Sequence, residues 1–365
     1  MTDAEIFDIE TSYTGGRWAY EHLPERIREA YVEVVERAVD LIDSVRRALP
    51  QLPPIHFDFI HDGRVNALAF RAKGRYFIGI TTGTLYMLRM VIGRMLSDPR
   101  TFVFVGQPDS EDADLPLVLN YIPDADAMAD RGPAILTPKD SVRASFAWFL
   151  ADQAIMFLVG HEIAHITRGH VDYLATKGGV GFKAQLEWLR ENRSAATLER
   201  QCLEMDADRR SIVSRIDSLR LMHSNPVRPV PPWSPGSYEV GSIIRDWSAS
   251  LNLLFRLFGD VRFSRSELNR LMYPPLPIRR ALCDMWAWGI TRDIWDPALK
   301  EVVADGLIHG RSYVEYAFAD ILGEQVSTEG LKTALGETGQ EHMQKLVNHW
   351  NDNLVQSVKP FSYEF

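Results

Sequence analysis

The sequence predicts an α+β protein that is predominantly helical, and three observations carry the prediction. Long stretches repeat apolar residues at three- and four-residue steps, the period of one helix face. Strand-like patterns are confined to residues 55–81 and a short run at 101–105. Hydrophobic residues make up 46% and charged residues 24% of the 365. That is enough apolar surface to offset the entropy of ordering the chain.

The elements follow in order. Between Pro24 and Leu49, residues Ile27, Tyr31, Val34, Val35, Ala38, Leu41, Ile42 and Val45 form one helical stripe, which Pro50, Pro53 and Pro54 end. Residues 55–60 read as a strand, and 65–70 with 76–81 read as a β-hairpin turning at Gly74. A helix is expected over 82–96 and a short strand over 101–105. Residues 107–131 form an irregular acidic stretch holding Asp109, Glu111, Asp112, Asp114, Asp124, Asp126 and Asp130. It reads as a solvated loop, with a lid or cation site as the alternative. Thr137-Pro138 reads as the start of a long apolar helix running to about Gly169. Helices resume near Ala195–Met222, the proline-rich segment 224–235 reads as a stiff loop, and the rest is helical. The expected organisation is a catalytic body over 1–290, with an inserted acidic segment at 99–138, and a helical extension over 291–365.

Composition narrows the function. Forty basic against 49 acidic residues, a net charge of −9, argues against a nucleic-acid binder, which needs clustered Lys and Arg. Two cysteines, Cys202 and Cys283, are too few for a disulfide scaffold and lack CxxC spacing, which suits a reducing compartment. The opening MTDAEIFDIETSY has no apolar run of signal-peptide length, and no apolar run reaches about 18 uninterrupted residues. A cytoplasmic protein without a membrane span is expected.

The chemistry resides in the long apolar helix, which contains His161-Glu162-Ile163-Ala164-His165, an HExxH pattern. A helix advances about 100° per residue, so His161 and His165 share one face a turn apart and can reach one ion. Neutral imidazoles suit zinc, and Glu162 is placed as general base for an attacking water. The alternative is a pair of ordinary helix histidines. Two histidines and a glutamate among residues as apolar as Phe157-Leu158-Val159 would be costly to bury without a partner, and coordination removes that cost. Downstream, Glu204-Met205-Asp206-Ala207-Asp208 places Glu204 and Asp208 on one helical face. Glu204 can complete a His2Glu set, and Asp208 can hold the distal nitrogen of a ligand histidine. A third histidine ligand of the HExxHxxGxxH kind fails by count, because Gly169 and His170 each fall one place off. His170 is expected at the helix C-terminus, favoured there when protonated, or else beside substrate or ligand.

These residues resemble a known family. HEIAHITRGH at 161–170 followed by EMDAD at 204–208 is similar to the gluzincin metallopeptidases of family forty-eight, which includes the CAAX prenyl proteases and related heat-shock proteases. VNALAFRAKGRYFIGITTGTL at 65–85 resembles that family's strand, hairpin and helix start, and PPLPIRR at 274–280 its later His-Pro…Arg segment. A weaker likeness is to the Lit-type phage-exclusion peptidases. The resemblance implies a zincin-like fold in which a hairpin beside the active-site helix pairs its edge strand with a peptide, so that Asn66, Ala67, Leu68 and Ala69 line the cleft. It implies that Arg279 contacts the site or braces the zinc helices, with a surface ion pair as the alternative. Tyr273, standing where the family has histidine, is either a donor to the oxyanion or a core tyrosine.

The expected activity is therefore that of a zinc-dependent endopeptidase acting on a protein or peptide substrate with one catalytic Zn2+. The alternative is a zincin-derived peptide-binding or regulatory protein that keeps the metal without turnover.

Overall fold

Helices form where the sequence repeats at the helical period, and a three-stranded sheet forms where it alternates. The computed structural model describes residues 1–23, 25–115, 136–179, 193–224, 231–233, 239–258, 268, 271–322 and 328–364. A short helix α1 (Asp3–Thr11) opens the chain, started by a capping box in which Thr2 and Glu5 exchange side-chain and backbone hydrogen bonds. Helix α2 (Glu25–Ala48) follows, then strands β1 (Ile55–Ile60), β2 (Ala67–Ala72) and β3 (Arg75–Thr81). The sheet order is β1-β3-β2, with β3 parallel to β1 and antiparallel to β2. The hairpin is as expected. Lys73 and Gly74 turn it with φ of 50° and 78°, the two positive values that match the right-handed twist of the flanking strands.

Alternation along the strands separates two cores. Tyr76, Ile78 and Ile80 of β3 face the main core with Phe57 and Phe59. Phe77, with Phe70 of β2, meets Phe7 of α1 on the other face. Among the described residues β2 is paired on one side only, and it runs beside the long central helix.

Helix α3 (Thr82–Leu96) leaves β3 directly, as expected. The central helix α4 (Ser141–Thr167) is buried along most of its length. By length and composition it is apolar enough to cross a membrane, but 61% of its most apolar window is buried inside the fold. Around it lie α5 (His170–Gly178), α6 (Arg193–Ser224), α7 (Val240–Leu257), α8 (Leu276–Ile294), α9 (Lys300–Leu322), α10 (Glu329–Leu335) and α11 (Glu337–His349). The boundary drawn at residue 290 falls inside α8. Beyond it, Met343, Leu346, Trp350, Leu354 and Val358 share a core with Cys202, Leu203 and Met205 of α6.

Helices α7 and α9 pack closely because glycine stands at their contact. A Cβ on Gly310 would lie 2.2 Å from the Arg245 carbonyl oxygen and 2.8 Å from the Ala249 nitrogen, backbone atoms that cannot yield. Gly310→Ala is therefore expected to destabilise the protein by about 1–3 kcal/mol, seen as a lower urea midpoint at unchanged slope. An unchanged midpoint would show that the two helices separate at little cost.

Two expectations are corrected. Residues 101–105 form turns, not a strand: Phe102 has φ 46°, and the segment's carbonyls turn inward to one side chain. That side chain is the fully buried Arg143, which donates from Nε to Leu96 O, from Nη1 to Phe102 O and Val105 O, and from Nη2 to Asp98 O and Thr101 O, at 2.8–3.0 Å. The long helix starts at Ser141 with Asp140 as its cap, not at Thr137. The Glu111 carboxylate takes the N–H groups of Lys139 and Asp140 at 2.9 and 3.0 Å, which keeps those residues out of the helix. Glu111 is accordingly buried, whereas Asp109, Asp112 and Asp114 are exposed as a solvated loop requires. Asp124, Asp126 and Asp130 lie outside the described residues, as does most of the 224–235 loop.

Candidate metal centre

The centre is built where α4 and α6 approach most closely. Gly160 makes room for Ser211, whose hydroxyl donates to the Phe157 carbonyl at 2.8 Å. Beside this contact α4 presents His161 and, a turn on, His165, and α6 presents Glu204 and Asp208. All four are buried. The Nε2 atoms of His161 and His165 are 3.0 Å apart. Glu204 closes the triangle, with Oε2 3.3 Å from His161 Nε2 and Oε1 3.6 Å from His165 Nε2. A tetrahedral ion with bonds of about 2.0–2.1 Å spaces its ligand atoms about 3.3 Å apart, so the two imidazole nitrogens and the Glu204 carboxylate that spans them stand at distances such a site requires.

Proton accounting agrees with that reading. His161 Nδ1 lies 2.9 Å from Asp208 Oδ1, an ion-pair distance without hydrogen-bond alignment; because a carboxylate only accepts, Asp208 favours the hydrogen on Nδ1, the tautomer in which a neutral His161 keeps its Nε2 lone pair for an ion. Asp208 is held by the fork of Arg279, with Nε and Nη2 donating at 2.8 and 2.7 Å. Arg279 is thus a buried brace of the ligand shell rather than part of a surface ion pair. Glu204 Oε1 is buried without a hydrogen-bond partner, and its neighbours are cationic or imidazole nitrogens. The buried group His161, His165 and Glu204 can therefore hold a metal ion.

Charge in the cluster has the same sense. Burial alone would raise Glu204, but Arg200 and the imidazoles hold its carboxyl well below the usual range. Burial alone would lower His161, yet Asp208 and Glu204 raise it to about 10. Burial pushes His165 down to about 4. Glu162 sits beside His161, buried, and makes no hydrogen bond to another described residue. Burial raises its carboxyl to about 7.

The remaining expected residues fall at the periphery. Tyr273 is 48% exposed, and its ring lies 5.5 Å from the guanidinium carbon of Arg200. Arg200, a turn before Glu204, places Nε 3.1 Å from Glu204 Oε1 and is the cation standing between Tyr273 and the ligands. Ala67, Leu68 and Ala69 belong to β2, half-buried, at the sheet edge packed against α4. Asn66 is exposed just before the strand; its N–H is taken by the hydroxyls of Thr81 and Thr84 at 3.0 and 2.9 Å, so free pairing begins at Ala67.

Sequence reasoning missed Arg200 and misplaced His170. Gly169, with φ 83°, breaks the chain after α4, and His170 opens α5 instead of ending α4. It is fully buried, and burial pushes it down to about 4, so a protonated helix-end histidine is not what the fold contains.

No family model matches the chain, and no curated protein and no solved structure matches it either. The likeness to the gluzincins thus stands on the residues themselves.

Proposed function

We propose that this protein is a zinc-dependent peptidase of gluzincin type with a zincin-like arrangement of helix and edge strand. The observation that carries the reading is the buried group formed by His161, His165 and Glu204 with a buried carboxyl, Glu162, next to it. A structural zinc site is usually closed by a fourth protein ligand and needs no base. Zinc, when bound, would polarise the scissile carbonyl and lower the pKa of water to about 7.

The chain's own residues supply the rest. His161 and His165 offer Nε2, and Glu204 offers an ionised carboxylate. Asp208 and Arg279 fix the His161 ring. The Glu162 carboxylate accepts the proton of the attacking water and returns it to the leaving nitrogen. Arg200 and Tyr273 are the donors available to the developing oxyanion, Arg200 being the nearer to the ligands. An extended peptide adds to the open edge of β2 from Ala67 through Ala69, held by backbone hydrogen bonds that do not depend on its sequence.

The direct test is cleavage of a denatured protein mixture by the purified protein, with and without a chelator. Chelator-sensitive cleavage is the expected result. Bound zinc without any cleavage would favour the binding-protein reading. Glu204→Ala is expected to strip the metal, since it removes the one anionic ligand, with bound zinc per chain falling from about one towards zero after dialysis. Unchanged metal content in that variant would reject Glu204 as a ligand.

A further inference from the structure

We infer that His170 and Asp206 form a proton-ordering chain that holds the second ligand, His165, in the tautomer a metal requires. This rests on the reading of His161, His165 and Glu204 as a metal centre. His165 Nδ1 lies 3.0 Å from His170 Nδ1, a contact that is attractive only when one of the two nitrogens carries a hydrogen. The other end of His170 decides which. Its Nε2 is 3.2 Å from Asp206 Oδ2, and a carboxylate only accepts, so the His170 hydrogen is on Nε2. His170 Nδ1 is then a lone pair, His165 Nδ1 must donate to it, and His165 Nε2 is left bare, facing His161 and Glu204.

Asp206 cannot turn away from this task. Arg168 grips it with a fork, Nε to Oδ2 at 2.7 Å and Nη2 to Oδ1 at 3.0 Å. The break at Gly169 turns His170 back under the helix it has just left, and a Cβ at Gly169 would lie 2.6 Å from the Phe361 carbonyl carbon, so the turn is packed as well as wound. The two ligand histidines are thus ordered by separate means. His161 has a carboxylate directly on Nδ1, whereas His165 reaches its carboxylate through one intervening imidazole. His170 and Asp206 are positioning residues, since neither reaches the ion.

The proposal separates hydrogen-bond polarity from packing. Asp206→Asn keeps shape but places either an amide donor against His170 Nε2, which reverses the chain and puts a hydrogen on His165 Nε2, or an amide donor against the Arg168 fork. His170→Leu removes the acceptor for His165. His170→Asn leaves a carbonyl near the position of the lost Nδ1 and retains that acceptor without needing Asp206. Zinc affinity is measured on the metal-free protein by competition with a chromophoric chelator, and the His165 tautomer by imidazole nitrogen NMR. His170→Leu is expected to weaken zinc by roughly 10–100-fold, with His170→Asn close to the unaltered protein, and Asp206→Asn to weaken it only where its amide nitrogen takes the Oδ2 place against His170 Nε2. The metal-free unaltered protein is expected to show His165 hydrogen on Nδ1. Unaltered zinc affinity in His170→Leu, or hydrogen on Nε2 of His165 in the unaltered protein, would overturn the inference and leave the metal centre standing. Failure of the unaltered protein to bind zinc would overturn both.

Discussion

A protein with Gln in place of Glu162 is expected to keep its zinc and lose its turnover. The substitution changes one oxygen to an amide nitrogen in a buried side chain that makes no hydrogen bond to another described residue. Among the described residues no partner is orphaned, so neither the fold nor the His161–His165–Glu204 group should suffer. What disappears is the capacity to take a proton. A positioned general base contributes about 10²–10⁴ to the rate, so kcat should fall by at least a factor of about 100. KM should change little, because Glu162 is assigned a role in the transition state and not in holding the peptide. The measurement pairs single-turnover cleavage with zinc content on the same sample. Cleavage by the Gln variant at the unaltered rate would sink the assignment of the base, whatever the metal content.

What was legible in the sequence was what a single helix or hairpin dictates. The HExxH and ExxAD spacings place side chains on one helical face by local geometry alone, and the structure brings those faces together. The strands of the hairpin and the helix beginning at Thr82 were likewise local. The rest depends on long-range placement. His170 depends on a backbone reversal at Gly169, four residues from His165, and on a partner carboxylate 36 positions away on α6. One signal was available: Asp206 lies within the EMDAD segment, two residues from both Glu204 and Asp208, which were already assigned. Arg200 lies one turn before Glu204, so its place beside the ligand was open to the same spacing argument. Residues 101–105 could not be read correctly, because their β-like composition was overruled by a distant arginine that gathers their carbonyls.

Loss of that arginine is expected to be the most damaging single change to stability. Arg143 fills all five guanidinium N–H positions with main-chain carbonyls, those of Leu96, Asp98, Thr101, Phe102 and Val105. These carbonyls converge because the chain is coiled around the side chain; Asp98 O and Phe102 O also take the turn N–H groups of Thr101 and Val105, whereas among the described residues Leu96 O, Thr101 O and Val105 O take only the guanidinium. Arg143→Leu supplies apolar volume and no donor. Each of the three carbonyls left unpaired costs about 1–3 kcal/mol, and although such costs do not add fully, the sum is comparable to the lower part of a total folding stability of about 5–15 kcal/mol. The leucine variant should therefore be largely unfolded at neutral pH. Arg143→Lys, which offers three donors on a narrower head, should fold with a reduced denaturant midpoint, lying between the two extremes. A leucine variant melting within a few degrees of the unaltered protein would mean that the segment finds other partners, and the account of residues 96–105 would have to be abandoned. The position of Arg143 gives a further separation of effects. It lies at the start of α4, five helical turns before His161 by about 3.6 residues per turn, so it acts on the metal centre only through the fold. Ligand binding to the folded state adds stability by mass action, and excess zinc should recover part of the folded population in the lysine variant. Zinc should do nothing comparable for a variant that has lost Glu204 along with Arg143, and it is this difference that ties the recovery to the buried face and not to adventitious sites on the unfolded chain.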